Sequence, residues 1–159
     1  MTSIQIRRRA LLSGATAVFF ASAARAGGEP MPKVLVSKDP SCACCTAWAE
    51  HIRAAGFSVE VSEVKDLART KARLGVPQDL ASCHTAEVGG YVVEGHVPAG
   101  ALKRLLSERP RASGLAVRGM PIGSPGMEIE GSAPDTYEVV LFGASGRSTF
   151  AHYEGARAL

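Results

Sequence analysis

Four cysteines are the residues of this sequence whose type and spacing most clearly indicate chemistry. Cys42, Cys44 and Cys45 lie within four positions, and Cys83 lies further along the chain. The close group stands between a predicted strand and a predicted helix, where free backbone N–H groups and the helix dipole favour a thiolate over a thiol. Because a thiolate is both a nucleophile and a soft metal ligand, this position supports either disulfide exchange or metal binding.

The third thiol of the close group favours metal binding. In a dithiol mechanism Cys42 attacks and Cys45 resolves, and Cys44 would compete as a second resolving group. In a metal site a third thiolate is useful, because soft sulfur selects copper(I) and zinc over hard cations. Four-cysteine zinc sites usually use two pairs with two-residue gaps, whereas Cys44 and Cys45 are adjacent. Crowded thiolates can bridge several copper(I) ions, so the sequence predicts a multi-copper site, with zinc as the alternative metal.

Histidines and methionines extend the set of candidate ligands beyond the cysteines. His96 stands where a strand meets a helix, a position that suits either a ligand or a packed histidine. The direction of His84 depends on whether Cys83 lies on a regular strand, since neighbouring strand residues face opposite sides. Met120 and Met127 flank a loop rich in glycine and proline; a thioether binds copper(I) weakly, and loop methionines more often fill gaps in packing. These two methionines are therefore secondary candidates.

Hydrophobic periodicity indicates the elements that must position these side chains. The predicted elements are strand 33–37, helix 45–55, strand 57–64, helix 66–74 capped by Asp66, strands near 82–85 and 91–93, helix 99–108 opened by Pro98, an ordered loop over 111–135, and a hairpin of strands 137–142 and 148–152. This order predicts an α/β fold, a thioredoxin-like sandwich whose central mixed sheet has flanking helices. The strand–turn–helix unit carrying Cys42-x-x-Cys45 supports it most. The terminal helix of such a fold is expected to be missing or reduced to residues 153–159.

The first residues have the layout of a signal peptide. Three arginines (Arg7, Arg8 and Arg9) precede a mildly apolar segment that ends in Ala24-Arg25-Ala26, which resembles a signal peptidase site. The apolar segment is too short to remain as a membrane span. We therefore expect a signal peptide over residues 1–26, of twin-arginine type with a Sec signal as the alternative, then a leader over 27–32 and one metal-binding domain over 33–159.

Net charge and length limit the functions that the exported protein can have. Residues 1–26 hold four arginines and no acidic residue, so without them the formal net charge falls from +3 to −1. A nearly neutral protein has no electrostatic footprint for nucleic acid or for an acidic membrane. The remaining 133 residues suit one domain with one core and do not need disulfides to hold it. Adjacent cysteines also pair poorly, which disfavours a merely disulfide-stapled domain.

Several motifs agree in order with one known family. They are Lys38-x-Pro40-x-Cys42-x-Cys44-Cys45, Trp48, Ser82-Cys83-His84-Thr85, Gly89-Gly90-Tyr91, Glu94-Gly95-His96-Val97-Pro98 and the segment from Gly119 to Glu128. Over residues 33–152 the chain resembles the CopG-type periplasmic copper-resistance proteins, a family long catalogued as a domain of unknown function. The resemblance implies a thioredoxin-like fold, a periplasmic location and copper binding by the four cysteines, with His84 and His96 matching the family's histidines. Met120-Pro121 also resembles the cis-proline loop of thioredoxins.

Together these features predict a periplasmic copper-binding protein of copper resistance. It would hold copper(I) in a thiolate site, with redox exchange to copper(II), and would work with copper ions and other periplasmic copper-handling proteins. The alternative is a periplasmic thiol–disulfide oxidoreductase that uses Cys42 and Cys45. Whether the protein is an enzyme depends on which of these two functions it has, and neither needs a membrane span in the mature protein.

Overall fold

The structure of the protein is a computed structural model that describes residues 31–159. The predicted signal peptide and positions 27–30 of the leader lie outside the described residues. The described part contains three α-helices, eight strands and a short 3₁₀ helix at Gln78–Leu80. In chain order the helices and strands are β1 (Val34–Lys38), α1 (Ala43–Ala54), β2 (Val59–Glu63), α2 (Leu67–Arg73), β3 (His84–Val88), β4 (Tyr91–Glu94), α3 (Ala99–Glu108), β5 (Gly114–Ala116), β6 (Thr136–Gly143), β7 (Gly146–Glu154) and β8 (Arg157–Ala158).

All eight strands form one mixed sheet. Its spatial order is β2-β1-β3-β4-β5-β6-β7-β8. The pairs β1/β2 and β4/β5 are parallel, and helices α1 and α3 provide the crossover connections that parallel neighbours require. The other neighbouring strands are antiparallel. The predicted α/β fold with a central mixed sheet and helices is confirmed, whereas the thioredoxin-like description remains a prediction.

Helix α1 carries the cysteine turn and is anchored by one apolar face. Its buried side chains are Cys45, Trp48, Ala49 and Ile52, at positions i, i+3, i+4 and i+7 of one helix face. The helix ends before Gly56, whose φ of 96° is favourable only for glycine. The indole N–H of the fully buried Trp48 also donates to the carbonyl oxygen that precedes Pro98, at 2.9 Å. The second turn of α1 is therefore fixed against the start of α3.

The terminal helix of a thioredoxin-like fold is missing from the described residues, as expected, and the chain ends in strand β8. Three other local predictions from the sequence are wrong. The stretch 111–135 is not loop throughout, because Gly114–Ala116 forms β5, three buried residues between β4 and β6. Pro98 is the N-cap of α3 with extended backbone, and not its first helical residue. Peptide bonds of residues 31–159 are all trans, so Met120-Pro121 does not form a cis-proline loop.

Within residues 31–159, we find no helix with both the length and the apolar character that a membrane span requires.

Candidate metal centre

The turn between β1 and α1 presents the close group of cysteines. The side chain of Asp39 accepts hydrogen bonds from the backbone N–H and the hydroxyl of Ser41, at 2.9 and 2.6 Å. Lys38 is nearly fully buried, and its ammonium donates to the carbonyl oxygens of Asp39 and Pro40 at 2.9 and 3.2 Å. These bonds close the turn and leave Cys42 at the N-cap of α1.

The structure brings Cys83 to this turn, so that four sulfur atoms converge. Cys42 and Cys45 are joined by a disulfide, while Cys44 and Cys83 are free thiols. The sulfur of Cys44 lies 3.5 Å from that of Cys42 and 3.9 Å from that of Cys83. The sulfur of Cys45 lies 3.5 Å from the carbonyl oxygen of Cys83. The cysteine of the distant segment therefore completes the group that α1 begins.

Two buried histidines lie on the other side of Cys83. The Cys83 sulfur is 3.0 Å from Nε2 of His96 and 3.4 Å from Nδ1 of His84. Cys83 precedes β3, which begins at His84, so the alternation of a regular strand does not separate the two side chains. Both imidazoles are fully buried, and they meet edge to face with centroids 5.1 Å apart. The direction of His84, which the sequence left open, is therefore toward the cysteines.

Hydrogen bonding fixes the tautomer of one histidine. Nδ1 of His96 lies 2.8 Å from the carbonyl oxygen of Pro125, which can only accept a hydrogen bond. Nδ1 therefore carries the proton, and the lone pair of Nε2 faces Cys83. An imidazole oriented by a backbone carbonyl in this way is typical of metal-binding histidines. Nε2 of His84 is buried without a hydrogen-bond partner among the described residues.

Burial sets the protonation states of these groups. It lowers the pKa of His84 well below its usual value, and electrostatic repulsion between the protonated form of His84 and its neighbours His96 and Lys71 acts in the same direction. Burial also lowers the pKa of His96, against the opposing effects of the Pro125 carbonyl and Glu128. Burial raises the pKa of the Cys83 thiol to about 12, with further increases from the neighbouring Cys44. The imidazoles are therefore neutral, as ligands must be, and Cys83 would release a proton on binding a metal.

Two overlapping donor groups result from this arrangement. One contains Cys42, Cys44, Cys45 and Cys83, and the other contains Cys83, His84 and His96, with all ligand atoms of each group within 4.8 Å of one another. Cys83 belongs to both. The four sulfurs suit a soft cation such as copper(I), and the imidazole nitrogens suit copper in either oxidation state. Cys42 and Cys45 can contribute thiolates only after their disulfide has been reduced.

The loop from Met120 to Met127, the methionine loop, packs against α1, the cysteine helix. A Cβ atom at Gly126 would lie 2.7 Å from the carbonyl oxygen of Cys44 and 2.7 Å from the backbone nitrogen of Trp48, so the two segments are in close contact. Met120 is 53% exposed and Met127 is partly buried. The carbonyl of Gly119, next to Met120, accepts a bond of 2.6 Å from the Ser82 hydroxyl.

Two buried charged residues near the site were not identified from the sequence. Lys38 holds the cysteine turn, and Glu94, at the end of β4, accepts a hydrogen bond from the backbone N–H of Ser82, the neighbour of Cys83. The available signal was the position of each charge at the end of an apolar strand, since charged residues are almost never fully buried unless they are paired.

Comparison with known proteins gives consistent matches. The family described as protein of unknown function, DUF411, matches residues 80–127. No curated protein matches the chain. Two solved structures, "Copper resistance protein copG- Form 2" and "Copper resistance protein copG- Form 1", are each 44% identical to the chain with a TM-score of 0.73. The first match covers 77% of this chain and 98% of the other, and the second covers 80% and 100%. The chain therefore belongs to the CopG family of copper resistance proteins.

Proposed function

We propose that this protein binds copper(I) outside the cytoplasm, as part of copper resistance. Cys42, Cys44, Cys45 and Cys83 are the sulfur ligands, and His96 and His84 are the nitrogen ligands. Met120 and Met127 are peripheral thioethers. The convergence of both donor groups on Cys83 is the observation that carries the proposal. The relationship to copper resistance proteins supports copper as the metal in preference to zinc.

The number of sulfurs supports binding of more than one copper ion. Copper(I) is satisfied by few soft ligands, and a thiolate can bridge two ions. Copper(II) prefers nitrogen donors and a larger number of ligands, and His96 offers Nε2 in the correct tautomer. A site with both kinds of donor can therefore hold copper in both oxidation states, which is the basis for the proposed redox exchange.

Anaerobic titration of the fully reduced protein against a copper(I) chelator tests the stoichiometry. We expect more than one copper(I) per chain, fewer when Cys44 is replaced by serine, and the largest loss for Cys83→Ser. A stoichiometry that is unchanged in both variants would contradict the thiolate site.

The nitrogen donors can be tested separately from the sulfurs. We expect His96→Ala to reduce the nitrogen coupling in the electron paramagnetic resonance spectrum of the oxidised, copper(II)-loaded protein to that of His84 alone, while most copper(I) affinity remains. His51→Ala is the matched control, because Nε2 of His51 accepts a backbone hydrogen bond from Ala99 and the residue belongs to neither donor group. Identical spectra for wild type and His96→Ala would make His96 a structural residue.

A second candidate function is thiol–disulfide exchange, and the disulfide between Cys42 and Cys45 favours it. It stands at the N-terminus of α1, where thiolates are favoured. In this function the reduced Cys42 attacks a substrate disulfide, and Cys45 displaces the reduced substrate, so that the two electrons pass from the dithiol to the substrate. If Cys42→Ser abolishes reduction of a model disulfide while Cys44→Ser leaves copper stoichiometry unchanged, this function replaces the first.

We propose the periplasm as the location and residues 1–26 as the export signal. Replacing Arg7, Arg8 and Arg9 by lysine should stop export if the twin-arginine route is used. Continued export would indicate a Sec signal, and a cellular protein that still begins at Met1 would contradict export.

A further inference from the structure

A buried carboxylate, which belongs to neither donor group, holds the segment that carries Cys83. Glu94 is completely buried and accepts three hydrogen bonds. Its Oε1 accepts from the ammonium of Lys71 at 2.5 Å and from the backbone N–H of Ser82 at 2.6 Å. Its Oε2 accepts from the hydroxyl of Thr85 at 2.7 Å. Glu94 therefore binds both residues that flank the Cys83–His84 dipeptide.

The hydrogen bonds around Glu94 form a closed network. Thr85 and Glu94 are paired residues of the neighbouring strands β3 and β4. The Lys71 ammonium, on helix α2, donates to the Thr85 hydroxyl at 2.9 Å as well as to Glu94. Three elements of the chain and the segment before β3 thus meet at one carboxylate. A fully satisfied buried network of this kind restricts the positions of its members more strongly than apolar packing does.

Glu94 also connects the network to His96, through the neighbouring Gly95. Gly95 follows Glu94 and directly precedes His96, and its N–H donates to the backbone carbonyl of His84 at 3.0 Å. A Cβ atom at Gly95 would lie 2.7 Å from Cβ of Ser82, so the segments on either side are in close contact. A displacement of the Glu94 carboxylate would consequently move Cys83 and His84 relative to His96.

We propose that Glu94, paired with Lys71, is a positioning residue that fixes Cys83 and His84 at the distances from His96 which copper binding requires. This inference rests on the proposed function, because it concerns the copper affinity of the Cys83–His84–His96 group. Glu94 acts through Cys83 and His84 and is not itself a ligand. Removal of such an outer partner typically lowers metal affinity by about 10- to 100-fold.

A double-mutant cycle tests this role. Copper(I) affinity is measured by chelator competition for wild type, Glu94→Ala, Cys83→Ser and the double variant, with thermal unfolding of each. Glu87→Ala is the matched control, since Glu87 also lies on the β3/β4 hairpin and pairs with α2, through Arg73 at 3.5 Å, but its side chain is 43% exposed. We expect Glu94→Ala to weaken affinity by about 10- to 100-fold in the wild-type background and to have a much smaller effect in Cys83→Ser, where only the position of His84 is left to disturb. Glu87→Ala should leave affinity unchanged.

The contrary outcomes are equally specific. A loss of affinity that is the same in both backgrounds would mean that Glu94 only stabilises the fold, and an unchanged affinity in folded Glu94→Ala would overturn the proposal. If Glu94→Ala does not fold, Glu94→Gln takes its place, because it keeps the side-chain volume and one acceptor; the same dependence on Cys83 is expected with a smaller loss.

Failure of the proposed function can be recognised independently. If the reduced wild-type protein binds no copper(I), the proposed function is wrong and the rate of alkylation of Cys83 by iodoacetamide decides the positioning role. Cys83 is half-buried, so its displacement in Glu94→Ala should raise that rate relative to wild type and Glu87→Ala. An equal rate in all three proteins would overturn the inference.

Discussion

Replacing Gly126 by alanine tests the contact between the methionine loop and the cysteine helix. Gly126 has a φ of +88°, and a Cβ atom there would lie 2.7 Å from two backbone atoms of α1, the carbonyl oxygen of Cys44 and the nitrogen of Trp48. Backbone atoms within a helix cannot move away as the end of a flexible side chain can. We therefore expect Gly126→Ala to displace the loop or the cysteine turn.

A second glycine provides a control that separates the cost of a left-handed backbone from the cost of a steric clash. Gly131, also in the segment between β5 and β6, has a φ of +77°, and no atom lies within 4 Å of the position of its Cβ. A left-handed backbone costs a non-glycine residue about 1–2 kcal/mol, which both variants share. Overpacking adds about 1–3 kcal/mol to Gly126→Ala alone. With a shift of about 4 °C per kcal/mol for a domain of this size, Tm should fall by about 4–8 °C for Gly131→Ala and by about 8–20 °C for Gly126→Ala.

Thermal unfolding of the reduced, copper-free variants gives both values, and chelator competition gives their copper(I) affinities. We expect Gly126→Ala to lose copper affinity because the backbone of Cys44 is displaced, whereas Gly131→Ala retains it. Equal Tm values for the two variants, with equal copper affinities, would refute the close packing of the loop against α1.

Three other substitutions or conditions give direct checks. Trp48→Phe removes the buried hydrogen bond to the carbonyl of Val97 and should lower the free energy of unfolding by about 1–3 kcal/mol in urea, while an unchanged value would contradict that bond. Burial lowers the pKa of His84 and of His51 in the folded protein, so below about pH 6.5 the unfolded chain binds more protons than the folded one. The free energy of unfolding of the copper-free protein should therefore decrease from about pH 7 to about pH 5, and an increase in urea titrations would contradict this sign. Met120→Leu should leave copper(I) affinity nearly unchanged, because leucine preserves the apolar volume, and a large loss in the same titration would make Met120 a ligand.

Much of the fold could be predicted because its elements have clear local patterns. Helix α1 follows from the spacing of Cys45, Trp48 and Ile52, and α2 from its Asp66 cap, whose side chain accepts a hydrogen bond from the backbone of Arg69. The position of β5 could not be read from Gly114–Ala116, because three small or apolar residues show no alternation. Position 114 requires glycine, because a Cβ atom there would lie 1.7 Å from the carbonyl oxygen of Val92. This is a tertiary contact, which the local sequence pattern does not contain.

The residue types of the candidate site could be predicted from the sequence, whereas the directions of their side chains could be predicted only in part. The sequence indicated Cys83 and His96 as partners of the cysteine turn, but the orientation of His84 depended on where β3 begins. A boundary one residue earlier would have placed Cys83 and His84 on opposite faces of the sheet. Glu94 and Lys71 were missed for a different reason, since their pairing joins β4 to α2 over a sequence separation of 23 residues.

X-ray absorption at the copper edge of protein loaded with copper(I) under anaerobic conditions tests the central claim most directly. We expect a first shell dominated by sulfur in the wild-type protein, and a clear loss of sulfur scattering and of bound copper in Cys83→Ser, because that residue belongs to both donor groups. A shell of nitrogen and oxygen alone in the wild-type protein, or a sulfur shell unchanged by Cys83→Ser, would contradict the proposed thiolate site.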